Sequence, residues 1–145
     1  MDQPKYKFTK SNELHFDFIS LGRKGEIRKR VTFFELEKYG FFNMGLGDID
    51  STTGEVDYNS ITDNGDRNAV LATVSEIVEV FFKIYPQHTI YFKGTTDSRT
   101  RLYQMAINQY YNELSEKFHI LGELESKMTR FKKNTNFKSF LILKK

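Results

Sequence analysis

The chain has 145 residues, of which 39% are apolar, 15% aromatic and 28% charged, with no cysteine and no tryptophan. That length suits a single domain, residues 1–145, with enough apolar content to bury a core without crosslinks. The missing cysteines exclude disulfides, thiolate metal sites and a cysteine nucleophile. No apolar run reaches the about 18 residues of a membrane-spanning helix, so no membrane association is expected. The polar start lacks the apolar core of a signal peptide, and the expectation is a soluble cytoplasmic domain.

The net charge of +3 is unevenly spread: +4 over residues 1–31, −6 over 32–68, −2 over 69–125 and +7 over 126–145. Basic N- and C-terminal regions that met in the fold would form one positive surface, attractive to phosphates of nucleic acid or of a nucleotide-like cofactor. The alternative is a set of solvated edge strands, where lysine discourages aggregation.

In chain order, Tyr6 and Phe8 alternate with Lys5 and Lys7, a short strand signal. Residues 15–20 predict a strand with Phe16 and Phe18 on one face. A glycine-marked turn at 21–25 leads to a strand over 26–34, with Ile27, Val31 and Phe33 on one face and Arg28, Arg30 and Thr32 on the other. Phe42, Met44 and Leu46 give a fourth strand, and an acidic, turn-rich stretch over 47–65 holds at most a short strand around 56–61. Val70, Val74, Ile77, Val78, Phe81 and Tyr85 recur at helical spacing, predicting a helix over 67–85 that Asn64 or Asp66 can cap and Pro86 stops. A buried strand over 89–93 follows. A second helix, capped by Asp97 or Ser98, runs to about Lys117 with Leu102, Tyr103, Ala106, Ile107, Tyr110 and Leu114 inward. Strands over 118–125 and 137–143, joined by a basic loop, complete the order β-β-β-β-α-β-α-β-β. This is an α+β fold, a mixed and mostly antiparallel sheet with two packed helices. The helix–strand–helix run implies one parallel crossover.

Several short motifs fail on context. Asp48, Asp50, Thr52, Gly54 and Glu55 hint at a calcium loop, but the sixth and twelfth places hold Thr53 and Asn59 where glycine and glutamate are needed, so an acidic hairpin turning at Thr53 and Gly54 is expected. Glu125-Ser126-Lys127 has the E-x-K form of magnesium nucleases without a suitably spaced aspartate, which favours a solvated strand end. His15, His88 and His119 form no metal-spaced pair, so no metal site is expected. Tyr103, Tyr110, Tyr111 and Phe118 read as core rather than as a base-stacking platform. Phe131, Phe137 and Phe140 among Arg130, Lys132, Lys133 and Lys138 come nearest to a nucleic-acid surface.

Arg99 and Arg101 lie in the first turn of the second helix, where a cation opposes the helix dipole. Either they face an anionic ligand, with Arg67 contributing, or they pair with the acidic segment 48–66.

The blocks Asn43-Met44-Gly45-Leu46-Gly47-Asp48-Ile49-Asp50, Asn64-Gly65-Asp66, Val70-Leu71-Ala72-Thr73-Val74 and Ser98-Arg99-Thr100-Arg101-Leu102-Tyr103 resemble an uncharacterised bacterial family, a domain of unknown function from Bacteroidetes. That resemblance covers nearly the full length and implies a self-contained domain without an assigned activity. Over residues 33–143 the order of strands and helices is similar to the core of the GCN5-related N-acetyltransferases. That resemblance implies an acetyl-CoA site whose phosphate loop would be Gly65, Arg67 and Asn68, held by backbone N–H groups and the helix dipole. Ser98, Arg99 and Arg101 would lie at the start of the second helix, and Tyr103 would protonate the leaving thiolate. The loop departs from the family form: Gly65 is its only glycine, and Asp63 and Asp66 stand where a diphosphate would approach, each close pair costing about 1 kcal/mol or more. Two functions follow as expectations. One is an acetyltransferase-like domain, intact or degenerate, for an acyl-CoA-like anion. The other is a non-enzymatic module that binds nucleic acid or an acidic protein through its basic surface.

Overall fold

A computed structural model describes residues 5–12, 14–36, 40–59 and 63–145. They form two compact units, residues 5–34 with 44–84 and residues 35–43 with 85–145.

The first unit is an antiparallel meander carrying one helix. Its strands are β1 (Phe8–Asn12), β2 (His15–Gly22), β3 (Gly25–Glu35), β4 (Phe41–Ile49) and the two-residue β5 (Val56–Asp57), followed by α1 (Arg67–Ile84). β1 and β2 pair with Phe8 opposite Phe18, β2 and β3 with Phe16 opposite Val31, and β5 pairs with the end of β4. The two-residue alternation puts Phe16, Phe18, Val31 and Phe33 on one buried face. The apolar stripe of α1 supplies Val70, Ile77, Val78 and Phe81, and Phe33 stacks on Phe81 with ring centroids 4.2 Å apart. Each such side chain contributes about 1.5–3 kcal/mol when fully buried. Lys29 shares the face of Val31 and Phe33 and is buried with them, its Nζ 2.6 Å from Asp48 Oδ1.

The second unit holds the parallel crossover. The first three residues of β4 pair in parallel with β6 (Thr89–Phe92), Phe41 opposite Thr89 and Asn43 opposite Tyr91. After α2 (Asp97–Lys117) come β7 (Phe118–Leu124), β8 (Lys127–Arg130) and β9 (Phe140–Lys144). β9 inserts between β6 and β7 and is antiparallel to both, and β8 hairpins back along β7. Phe92, Ile107, Phe118, Ile120, Phe131, Phe137 and Phe140 form its core.

The class is therefore α+β, with a mostly antiparallel sheet and two helices. The order differs from the expected one by two strands. β5 adds a fifth before α1, narrowed from the expected 56–61 to two residues. β8 replaces part of the expected basic loop, because Glu125 and Ser126 take left-handed conformations (φ 49° and 65°) that fold residues 127–130 back onto β7.

Two details of the helices also differ. The cap of α2 is Thr96, whose side chain accepts from Arg99 N at 3.3 Å, rather than Asp97 or Ser98. Leu102, expected inward, is 45% exposed, whereas Thr100 and Gln104 are buried. Thr100 Oγ1 accepts from Gly94 N, and Gln104 Oε1 accepts from Phe137 N. Two backbone donors therefore draw polar side chains into positions that periodicity assigns to apolar ones.

Candidate functional site

In the first unit, the loop into α1 is wired to the β2–β3 hairpin. Asn64, 1% exposed, accepts from Lys24 N at 2.6 Å and donates to Gly25 O at 2.9 Å and to Ser20 Oγ at 3.1 Å. The Asp66 carboxylate accepts from the Tyr6 hydroxyl and the Ser20 hydroxyl, both at 2.5 Å. Neither side chain caps α1 as expected, since both serve the N-terminal strands instead.

Gly65 takes φ 76°, a left-handed conformation that suits glycine, and its N–H donates to Asp63 Oδ1 at 3.0 Å. Arg23 Nη2 lies 3.5 Å from Asp63 Oδ2. The Gly65 N–H holds the Asp63 carboxyl below the usual carboxylate range, with help from Arg23, Lys24 and Arg67. The backbone donor expected for a ligand phosphate thus already carries an internal anion. Arg67 and Asn68 are both exposed.

Among the described residues, four of the eight cations in residues 1–31 have a carboxylate partner. Arg30 pairs with Asp17 through two hydrogen bonds of 2.7 and 2.9 Å, Lys5 with Glu76 at 3.2 Å, and Lys29 with Asp48. Within the acidic segment 48–66, expected as the alternative partner of Arg99 and Arg101, Asp48 is paired with Lys29 and Asp63 with Arg23.

In the second unit, Tyr103 lies on α2 with its ring edge-on to Phe92, centroids 5.6 Å apart. Phe92 is the residue immediately after the last parallel pair of β4 with β6. The Tyr103 hydroxyl has no hydrogen-bond partner among the described residues. Burial raises its pKa, and Arg99, one turn earlier, offsets part of that rise. The Tyr103 phenol, without a hydrogen-bond partner among the described residues, therefore sits beside the end of β6. Arg99 is half-buried, Ser98 and Arg101 are exposed, and neither arginine forms an ion pair with a described residue.

The proposed residues thus divide. Gly65, Arg67 and Asn68 belong to the first unit, and Ser98, Arg99, Arg101 and Tyr103 to the second. Residues that sequence reasoning missed are Arg23 and Lys24, carried in by the hairpin turn, and the buried Lys29–Asp48 pair. Only Lys29 carried a signal, as a charge in register with Val31 and Phe33.

The remaining motifs take structural places. Asp50 Oδ1 accepts from Thr52 N and Thr53 N, the turn of an acidic hairpin. Glu125 and Ser126 make the β7–β8 turn. His88 packs against Phe42 and Tyr85, its Nδ1 buried without a partner among the described residues. Phe131, Phe137 and Phe140 are 0–4% exposed, which removes them as a base-stacking surface. Among the described residues no group of His, Asp or Glu could hold a metal ion, and no helix is long and apolar enough to cross a membrane.

A family model, described as a family of unknown function, matches residues 2–145 and so spans both units. No curated protein and no solved structure matches the chain.

Proposed function

We propose that the chain, which belongs to the family DUF6934, is an acetyltransferase-like domain, reduced in its phosphate loop, that binds an acyl-CoA-like anionic ligand. The observation that carries this reading is the placement of Tyr103. Its free hydroxyl stands on the helix that follows β6, and its ring abuts the residue at which the parallel pairing of β4 with β6 has just ended. The acetyltransferase order places the thioester where those strands part and a tyrosine of the next helix beside it. The insertion of β9 between β6 and β7 agrees with that order.

The second unit supplies the residues that carry this reading; in the first unit the Gly65 N–H, which the resemblance assigns to a phosphate, is held by Asp63. When bound, an acyl-CoA supplies an acyl group on sulfur. Transfer of that acyl group to a nucleophilic acceptor would release a thiolate; Tyr103 would hold the proton for it, and Arg99 would favour the resulting phenolate. Ser98 and Arg101, exposed in the first turn of α2, face the anionic remainder of the ligand.

Amide NMR titration with acetyl-CoA at low and moderate salt tests this. Shifts in residues 91–103 that persist at moderate salt are expected. Tyr103→Phe leaves binding and stability almost unchanged and lowers any acetyl transfer by about 10²–10⁴-fold, the usual worth of a general acid. A titration without shifts in 91–103 overturns the reading.

A further inference from the structure

The second unit carries a cationic edge, β8 and the segment that follows it, that the acyl-CoA reading does not use. Residues 126–145 contain seven basic residues and no acidic one. Lys127, Arg130, Lys132, Lys133 and Lys138 are all exposed, and none forms an ion pair with a described residue. Glu123, the acid on the adjoining strand, accepts from the buried Ser139 hydroxyl at 2.7 Å.

The segment that bears these charges is anchored. Phe131 stacks on Tyr111 with centroids 5.2 Å apart, Phe137 donates its N–H to the buried Gln104, and Phe131 and Phe137 are 3% and 4% exposed. The cations therefore project from a backbone already fixed in place, and binding does not have to order it.

We propose that this surface binds double-stranded nucleic acid through its phosphate backbone, without reading base sequence. A single strand is held by exposed aromatics on which bases stack, and the aromatics here are turned into the core. A protein partner wants an apolar anchor at the centre of its interface, and among these cations only Met128 is an exposed large apolar side chain. Phosphates need neither. The exposed Asn134 and Asn136, lying between Lys133 and Lys138, add neutral donors suited to phosphate oxygens.

The test is fluorescence anisotropy with a labelled mixed-sequence DNA duplex of roughly 20 base pairs, about two helical turns. Five phosphate contacts give a slope of log K against log salt of about −4.5, a loss of roughly 500-fold between about 50 and 200 mM salt. Replacing Arg130, Lys132 and Lys133 together with Ala brings the slope to about −1.8 and that loss to roughly 12-fold. Lys7→Ala/Lys10→Ala, in the other unit, leaves the slope unchanged. If the triple variant loses its circular dichroism signal, Lys127→Ala/Lys138→Ala is read instead, with an expected slope of about −2.7. The proposal is overturned by absent binding at about 50 mM salt, by a slope indifferent to these variants, by tighter binding of the single strand, or by polyglutamate competing as well as duplex does. None of these outcomes bears on the acetyl-CoA titration, because the two readings use different residues.

Discussion

Replacing Asp48 with Asn takes the carboxylate partner from a buried lysine ammonium in the first unit. The Lys29 side chain is 1% exposed against 14% for Asp48, and their charged atoms are 2.6 Å apart. Removing one partner of a buried pair costs about 3–5 kcal/mol, because the remaining charge has given up water and lost the opposite charge that offset it. Asp48 keeps some solvent contact, so the reciprocal change Lys29→Met is milder, about 1–3 kcal/mol, the penalty of one under-satisfied polar group. Lys29→Met/Asp48→Leu removes both charges and costs less than Asp48→Asn alone, since an apolar pair of similar volume is often neutral or stabilising there. Urea unfolding followed by circular dichroism measures all three variants, the chain having no tryptophan to report by fluorescence. At an m-value of about 1–3 kcal/mol/M, a loss of about 3 kcal/mol moves the midpoint by at least about 1 M with m unchanged. An Asp48→Asn protein within about 1 kcal/mol of the parent, or a double variant less stable than that single one, would refute the argument from burial.

Asp63→Ala removes the anion from the Gly65 N–H, and inorganic pyrophosphate then shifts the Gly65 and Arg67 amides in an NMR titration where the parent shows no response. Because the folded-state pKa of Asp63 is lowered, its stabilising effect is present above the ordinary carboxylate pKa of about 4 and is lost as pH falls through the lowered value. Parent and variant stabilities should therefore converge in strong acid, and a gap that is constant with pH counts against the electrostatic account. Gly122→Ala drives a methyl group into the buried ring of Phe137 and costs about 1–3 kcal/mol in thermal unfolding, with partial recovery in Gly122→Ala/Phe137→Leu. An undiminished Tm would show that the ring can move aside.

What could be read from residues alone was whatever repeats locally. The stripe of α1 and the alternation of Phe16 with Phe18 and of Val31 with Phe33 follow from helix and strand periods, and the elements formed where those periods lay. β8 escaped because Lys127-Met128-Thr129-Arg130 presents cations toward both faces of an edge, and only the turn at Glu125 and Ser126 marks it as a strand. The inward face of α2 was misjudged at Leu102 because Gln104 answers a donor 33 residues away, which no window along the helix contains. At the candidate site, Tyr103 was singled out through the acetyltransferase resemblance, and its place against Phe92 was not read from the residues. The capture of the Gly65 N–H by Asp63, two residues earlier, lay in plain view as a loop with too many carboxylates. The Lys29–Asp48 pair joins two strands across 19 residues and required the register between them.

The place of β9 bears on biosynthesis. This strand hydrogen-bonds to β6 on one side and β7 on the other, yet the ribosome makes it after both. Until residues 140–144 emerge, β6 and β7 present open edges of unpaired amides and carbonyls, the kind of edge that recruits strands from other chains. The second unit thus passes through an interval, set by elongation at about 5–20 residues per second, in which most of its core residues exist but its central strand does not. Chaperone cover matters most during that interval, and synonymous changes that slow translation between β7 and β9 prolong it.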